Sequence, residues 1–388
     1  MSLLQRVGWR RPPASVEDVR AIARRRLPRP VFDFIDGGAE DEVTLADNRA
    51  GFERFRFQPQ ALTDVSVRSQ RVTVLGLELE LPVLLAPAGL ARLAHPGGEV
   101  AAARAAAAAG TVFTLSTAAS ASIEEVAAAS KGPLWLQLYV WSDRGATRDL
   151  VARADAAGYH SLCFTIDVPM SGQRERDLRN GLTIPPRPAG STLVEYARHP
   201  AWVRHALLGS PITFANFLGA TPGQGDGAVA LGKYVNSQLN PSMSWDDLQW
   251  LRETWQRPLL VKGVMTAGDA RRAVDLGADA LIVSNHGGRQ LDGLPATVDV
   301  LAEIVDAVGD RAEVLLDSGV RRGADVVKAL ALGARAVLVG RPYLYGLAMS
   351  GEAGALQVLR MLAAEIDRVQ ALLGVPDVRS LHPGFIRT

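Results

Sequence analysis

The sequence predicts a closed parallel α/β barrel, the (β/α)8 or TIM-barrel class, on three observations. Eight short apolar runs recur along the chain, each bounded by Gly, Pro or a polar cluster, as strands buried on both faces are. Segments of helical periodicity lie between them, the alternation of an α/β fold. Polar and charged side chains gather where the runs end, and barrels place their sites at the C-terminal ends of the strands. The alternative, a doubly wound open sheet, calls for fewer strands and a glycine-rich first turn.

The elements follow in order within a single domain spanning 1–388. Residues 1–80 precede the first run and read as a cap over the barrel mouth or floor. Ser15 to Leu27 has the pattern of a capped helix, and a second short helix starts near Pro30. The segment VRSQRVTVLGLELELP at 66–81 alternates like a hairpin. Arg24-Arg25-Arg26 ends the first helix and reads as solvated surface. The barrel occupies 81–350. Its strands are expected in PVLLAPAG (82–89), TVFTLST (111–117), PLWLQLYV (133–140), SLCFTIDVP (161–169), RPLLVKGV (257–264), ADALIVSNHGG (278–288), AEVLLDSGV (312–320) and ARAVLVGRP (334–342). Helices are expected in GGEVAAARAAAAAG (97–110), SIEEVAAAS (122–130), DRGATRDLVARADAAG (143–158), SWDDLQWLRETW (244–255) and TAGDARRAVDLG (266–277). In the last of these Thr266 is the N-cap and Gly277 the stop. Residues 351–388 read as a C-terminal helix and tail.

One connection departs from the pattern. Residues 170–243, after the fourth strand, far exceed a normal βα loop. Gly/Pro-rich pieces (IPPRPAG, GATPGQGDG) flank a helix-like apolar segment, LVEYARHPAWVRHALLG. It reads as a surface excursion, an active-site lid, a subunit contact or a membrane-surface patch.

Composition excludes several classes. The 388 residues are 48% hydrophobic and 21% charged, with net charge +1, so nothing points to nucleic acid. The single cysteine, Cys163, lies in an apolar run and reads as a buried thiol in a reducing compartment. No Cys/His cluster has zinc spacing, so no metal is expected. The stretch MSLLQRVGWRRPP lacks the apolar core of a signal peptide. No apolar stretch approaches the ~20 residues of a membrane span. A cytoplasmic protein is expected, with peripheral contact on the inner face of a membrane left open.

The strand ends carry the chemistry. They supply Ser116 and Thr117, Gln137 and Tyr139, Thr165 and Asp167, Lys262, then Ser284, Asn285, His286 and Arg289, then Asp317, Gly319 and Arg321, and finally Gly340 and Arg341. A purely structural account fits poorly, because so many charges around one mouth repel and desolvate badly with nothing bound. The segments after strands seven and eight are where barrels bind phosphate, through glycine N–H groups, a helix N-terminus and arginine. Lys262, on strand five away from that end, suits a second anionic centre. His286 is the one strand-end imidazole, and Asp167 is placed to orient it and stabilise its protonated form. Arg289 can clamp a carboxylate and Tyr139 a hydroxyl or oxyanion. Two chemistries fit: a phosphate-anchored cofactor facing a hydroxy acid and a histidine base, or an aldolase or isomerase using Lys262 as a Schiff-base lysine.

From about Ser15 onward the chain resembles the FMN-dependent 2-hydroxy acid dehydrogenases and oxidases, the family of glycolate oxidase, lactate oxidase, mandelate dehydrogenase and quinone-linked L-lactate dehydrogenase. The likeness rests on DGGAEDE (36–42), LSTAAS (115–120), QLYV (137–140), TIDVP (165–169), GQRERD (172–177), VKGV (261–264), SNHGGRQLDG (284–293), DSGVRRG (317–323) and GRPYLYGLA (340–348). The resemblance implies non-covalent FMN. Pro87, Ala88, Ser116, Gln137, Thr165, Lys262 and Ser284 would contact its ring system, and Asp317, Gly319, Arg321, Gly340 and Arg341 its ribityl phosphate. Lys262 would put positive charge where the reduced ring becomes anionic. His286 would be the base and Asp167 its partner, Arg174 and Arg289 would bind the carboxylate, and Tyr139 the reacting oxygen. The resemblance also implies dioxygen or a quinone as electron acceptor and a homotetramer.

Three positions depart from family members. Phe34 stands where a tyrosine usually binds the carboxylate, a lost hydrogen bond worth roughly 1.5–3 kcal/mol. Ala118, with Ser171, is small where glycolate oxidase is bulky, which predicts a larger or aromatic acid such as mandelate, with lactate as the alternative. Gly89 replaces the alanine of well-known oxidases and favours a dehydrogenase. Phe34 also keeps open a modified substrate from a biosynthetic pathway, and a flavin-free aldolase or binding module is the remaining alternative.

Overall fold

The computed structural model describes residues 12–183, 186, 192–217 and 239–387. Eight parallel strands close into a barrel: β1 (Val83–Leu85), β2 (Phe113–Ser116), β3 (Leu134–Leu138), β4 (Ser161–Thr165), β5 (Leu259–Val264), β6 (Ala280–Val283), β7 (Glu313–Leu316) and β8 (Ala336–Val339). Closure pairs Val337, Leu338 and Val339 of β8 with Val83, Leu84 and Leu85 of β1. Nearly every strand residue is buried, because the inner face fills the barrel and the outer face is covered by helices. Each strand lies inside its apolar run. Except at β5, whose run ends with the strand at Val264, the runs overshoot the ladder at their C-terminal ends, where the chain turns out of the sheet to build the mouth.

The cap has two parts. Helices α1 (Val16–Arg26), α2 (Arg29–Asp36) and α3 (Val43–Arg54) come first. Ser15 caps α1 in a box with Asp18. The reading of Arg24-Arg25-Arg26 as solvated needs correction at Arg26, whose Nη1 donates to Met349 O. The α2–α3 junction lies over the mouth: Ala39 N donates to Gly288 O at 2.8 Å, and Val43 N and Thr44 N donate to Asp292. The hairpin, Val72–Val74 with Leu77–Leu79, lies under the floor. There Leu75 N donates to the Glu313 carboxylate at the start of β7. Its turn has positive φ at Leu75 (48°) and Gly76 (79°), as a two-residue hairpin turn of matching twist requires. A two-residue ladder joins Arg56–Phe57 to Ile386–Arg387.

The connection after β4 holds helices at Glu175–Asn180, Thr192–Ala197 and Pro200–Leu208. The segment expected as one helix is therefore two. Pro200 has no N–H to continue the ladder and pushes His199 to φ −120°, ψ 58°. The Pro200–Leu208 helix is pinned to the barrel by Trp202, whose indole N–H donates to Leu93 O at 2.8 Å. Its outer side leaves Leu207 and Leu208 76% and 80% exposed, beside the exposed Leu193 and Val194 of the preceding helix. GATPGQGDG and most of IPPRPAG lie outside the described residues. The final helix, Arg341–Leu373, kinks at Ser350 and Gly351. Gly351 has φ 61°, and a Cβ there would meet the His95 ring at 2.6 Å. No described helix is long and apolar enough to cross a membrane.

Candidate active site

A cavity of about 630 Å³ opens at the C-terminal mouth of the barrel under α2. Its wall includes Phe34, Pro87, Ala88, Ser116, Gln137, Tyr139, Thr165, Arg174, Lys262, His286, Arg289, Asp317, Gly319, Arg321, Gly340 and Arg341. Two expected site residues sit one layer behind it. Asp167 reaches the cavity through His286. Ser284, expected to touch a ring system, is wholly buried, and its Oγ accepts Lys262 Nζ at 2.7 Å and His286 N at 3.1 Å.

Strands β2, β3 and β4 present a polar ladder. Ser116 pairs in register with Gln137. Ser116 Oγ donates to Gln137 Oε1 at 3.1 Å, and Gln137 Nε2 donates to Thr165 Oγ1 at 3.0 Å. Across the mouth, Lys262 projects from β5 and ion-pairs with Asp317 Oδ2 at 3.1 Å. This corrects the separation of Lys262 from the segment after β7: Asp317 faces the lysine. Burial alone would lower the Lys262 pKa, but the carboxylates of Asp317 and Asp167 outweigh it and raise it. The ammonium therefore stays charged at any working pH.

His286 Nδ1 lies 3.0 and 3.2 Å from the two oxygens of Asp167, which leaves Nε2 as its free nitrogen. Burial would raise the Asp167 pKa, yet the adjacent imidazole and then Lys262 hold it below the usual value. Room for this pair comes from Gly263: a Cβ there would lie 2.8 Å from Asp167 Cβ and Cγ, and β5 shifts register at this point. Burial first, then the negative charge of Asp167, pushes the Tyr139 phenol up to about 12. It is thus a hydrogen-bond donor at neutral pH.

Cations line the rest. Arg289 Nη1 donates to the backbone oxygens of Phe34 and Gly37 at 2.8 and 2.9 Å. Burial and the like charges of Arg174 and Arg341 bring Arg289 down to about 9. Burial likewise brings Arg321 to about 10. Guanidinium does not deprotonate in proteins, so these shifts measure a penalty that a bound anion removes. The Phe34 ring meets two guanidiniums, 5.9 Å from Arg174 and 5.4 Å from Arg289. The segment after β7 is pressed against α3. Gly319 has φ 83°, and a Cβ there would lie 2.1 Å from Asn48 O. Ser318, also at positive φ, donates to Asp317 Oδ1 at 2.8 Å and accepts Gly287 N at 2.9 Å. Ser318, Asn48 and Asp36 were not singled out from sequence. The DSG run and the DGG run were the available signals, but neither tells which atoms meet.

Two ends result. Arg321 and Arg341, with Gly319, Gly340 and the start of the final helix, suit a phosphate. His286, Tyr139, Arg174 and Arg289 suit a small acid that loses a proton. Lys262 and the Ser116–Gln137–Thr165 ladder lie between. Among the described residues no group of His, Cys, Asp and Glu suits a metal ion.

A family model described as FMN-dependent dehydrogenase matches residues 23–388. The L-lactate dehydrogenase of Caulobacter vibrioides is 47% identical over 370 residues, 95% of this chain and 96% of that one. The L-lactate oxidase of Nostoc sp. is 46% identical over 378 residues, 96% and 98% of the two chains. Among solved structures, the monotopic membrane protein (S)-mandelate dehydrogenase superposes with a TM-score of 0.93 at 43% identity, covering 97% of this chain and 100% of that one.

Proposed function

The chain belongs to the FMN-dependent dehydrogenase family, which makes it an FMN enzyme that oxidises 2-hydroxy acids, and on that premise we propose a large or aromatic (S)-2-hydroxy acid such as mandelate as its substrate. The observation that supports a large side chain is the apolar part of the cavity lining, which includes Leu90, Ala118, Val168, Phe214 and Leu239 and in which position 118 carries only a methyl group. Lactate dehydrogenation is the smaller-substrate alternative.

The residues fit FMN. The half-buried guanidinium of Arg321 and the buried one of Arg341 call for an anion such as its phosphate, and Gly319 leaves no Cβ in the tight turn beside them. Pro87, Ala88, Ser116, Gln137, Thr165 and Lys262 would hold the ring system, with Ser284 fixing Lys262 from behind. Arg321, Gly319, Gly340 and Arg341 would hold the phosphate. Asp317, paired with Lys262, suits a ribityl hydroxyl better than the phosphate, which its charge would repel. When bound, FMN supplies the two-electron acceptor.

The chain's own residues do the rest. Arg174 and Arg289 bind the substrate carboxylate. Phe34 offers them a ring face and no hydroxyl, so the carboxylate rests on the guanidiniums and Tyr139. Tyr139 donates to the reacting oxygen. His286 Nε2 takes a proton from the substrate, and Asp167 holds the ring and stabilises the imidazolium. Lys262 keeps a positive charge against the ring system.

The acceptor we propose is a quinone. The exposed Leu193, Val194, Leu207 and Leu208 support peripheral contact with a membrane, where such an acceptor resides.

The test is an anaerobic titration of the purified protein with (S)-mandelate and, separately, (S)-lactate, following the visible absorption band of the oxidised flavin. Faster bleaching by mandelate is expected. Bleaching by lactate alone would sink the large-substrate reading. A band moved by neither acid would sink the hydroxy acid assignment and turn attention to a modified substrate.

A further inference from the structure

We propose that Asp36 is a positioning residue that fixes, from outside the cavity, the guanidiniums that read the substrate carboxylate and the cofactor phosphate. The inference rests on the roles assigned above to Arg174, Arg289 and Arg341. Asp36 is the last residue of α2 and does not line the cavity.

Its side chain collects four donors. Oδ1 accepts Arg20 Nε at 2.6 Å and the Tyr345 hydroxyl at 2.7 Å. Oδ2 accepts Arg20 Nη2 at 2.9 Å and Arg176 Nη1 at 3.2 Å. These groups come from α1, the final helix and the connection after β4, so one buried carboxylate ties three elements to the end of α2. Burial would raise its pKa, but Arg20 and Tyr345 outweigh that and hold it at about 2.

The main chain at the same place holds the site. Asp36 O accepts Arg341 Nε at 3.2 Å. Gly37 O accepts both Arg341 Nη2 at 2.8 Å and Arg289 Nη1 at 2.9 Å. A helix C-terminus carries partial negative charge on these carbonyls, so the end of α2 serves as the common anchor of two site cations. The third, Arg174, is reached through the chain: Arg176 bridges Asp36 and Glu42 and lies two residues beyond it. Moving the end of α2 therefore moves all three guanidiniums. An ångström of misplacement is enough to cost a site much of its effect.

The test compares Asp36→Asn with wild type in three measurements: FMN affinity of the flavin-free protein by fluorescence titration, kcat and KM for (S)-mandelate, and the inhibition constant of (S)-mandelamide, which lacks the charge. The expected result is a KM for mandelate and a Kd for FMN each raised about tenfold, with kcat and the mandelamide constant unchanged. Arg176→Gln removes one of the four donors to Asp36 and frees the Arg174 segment, while Arg20 and Tyr345 still hold the end of α2; it should raise the mandelate KM and leave FMN affinity alone. If Asp36→Asn does not fold, Arg176→Gln decides the matter through the carboxylate alone: a mandelate KM unchanged, or raised in parallel with the mandelamide constant, overturns the proposal. An unchanged mandelate KM, or parallel losses for acid and amide, would overturn the proposal and leave Asp36 a structural residue. If wild-type flavin is not reduced by any hydroxy acid, the parent reading fails instead.

Discussion

His286 has φ 58°, the left-handed region that a non-glycine residue enters at a cost of about 1 kcal/mol. The strain has a visible return. Ser284 Oγ accepts the His286 N–H, Gly287 and Gly288 continue the positive-φ turn, and the ring is delivered to Asp167. His286→Ala should keep the fold and the bound-flavin spectrum and lower kcat by about 10²–10⁴-fold, the range for a general base. Turnover within a few-fold of wild type would place the base elsewhere. His286 and Lys262 were legible because a charged side chain at the end of an apolar run stands out. Ser284 and Asp167 were legible as residue types, but their places behind the wall were not. Asp36 stayed hidden because its effect passes through carbonyls and through partners far off in sequence.

At the scale of elements, the strands were legible because a parallel barrel strand is a continuous apolar run. The connection after β4 was legible as an anomaly of length, and its apolar character could be seen, but its break at Pro200 required the local rule for proline to override an apparent helical period. The helices Thr192–Ala197 and Pro200–Leu208 on either side of that break bury only Tyr196 and Trp202 and leave four large aliphatic side chains exposed. A Leu207→Glu, Leu208→Glu double variant should bind anionic lipid vesicles at least about tenfold more weakly, since burying each leucine contributes about 1.5–3 kcal/mol. Turnover with a soluble acceptor should be unaffected. Vesicle sedimentation that does not distinguish the variant from wild type would remove the membrane from the account.

For the whole molecule, the cap is held to the barrel through ionised groups, and this sets its response to acid. Asp36 is held at about 2 against an ordinary 3.8. A depressed carboxylate stabilises the fold fully above its unfolded pKa, and that stabilisation is lost as pH falls from about 4 towards 2, amounting to about 2.5 kcal/mol. Asp36→Asn should therefore be less stable than wild type at pH 6 and lose less Tm between pH 5 and 2.5. Parallel Tm curves for the two proteins would contradict this. The barrel itself was legible in the sequence as a count of eight β-then-α units. The cap could be placed only as mouth or floor, and it proves to be both, because nothing local in 12–80 records that Leu75 meets Glu313 or that Gly37 meets Arg341.

The partners of that cap have a consequence for biosynthesis. Arg26 waits for Met349, Asp36 for Tyr345, and Arg56–Phe57 for Ile386–Arg387. On the ribosome the cap emerges well before these docking surfaces. Docking of α1 on the final helix must wait until all eight strands are made, whereas the α2–α3 junction meets Gly288 and Asp292 as soon as the segment after β6 has emerged. The phosphate cradle, shared between α2 and the last two barrel units, is likewise incomplete until then. An FMN phosphate would thus find Arg321 and Arg341 only once the last two barrel units have been made.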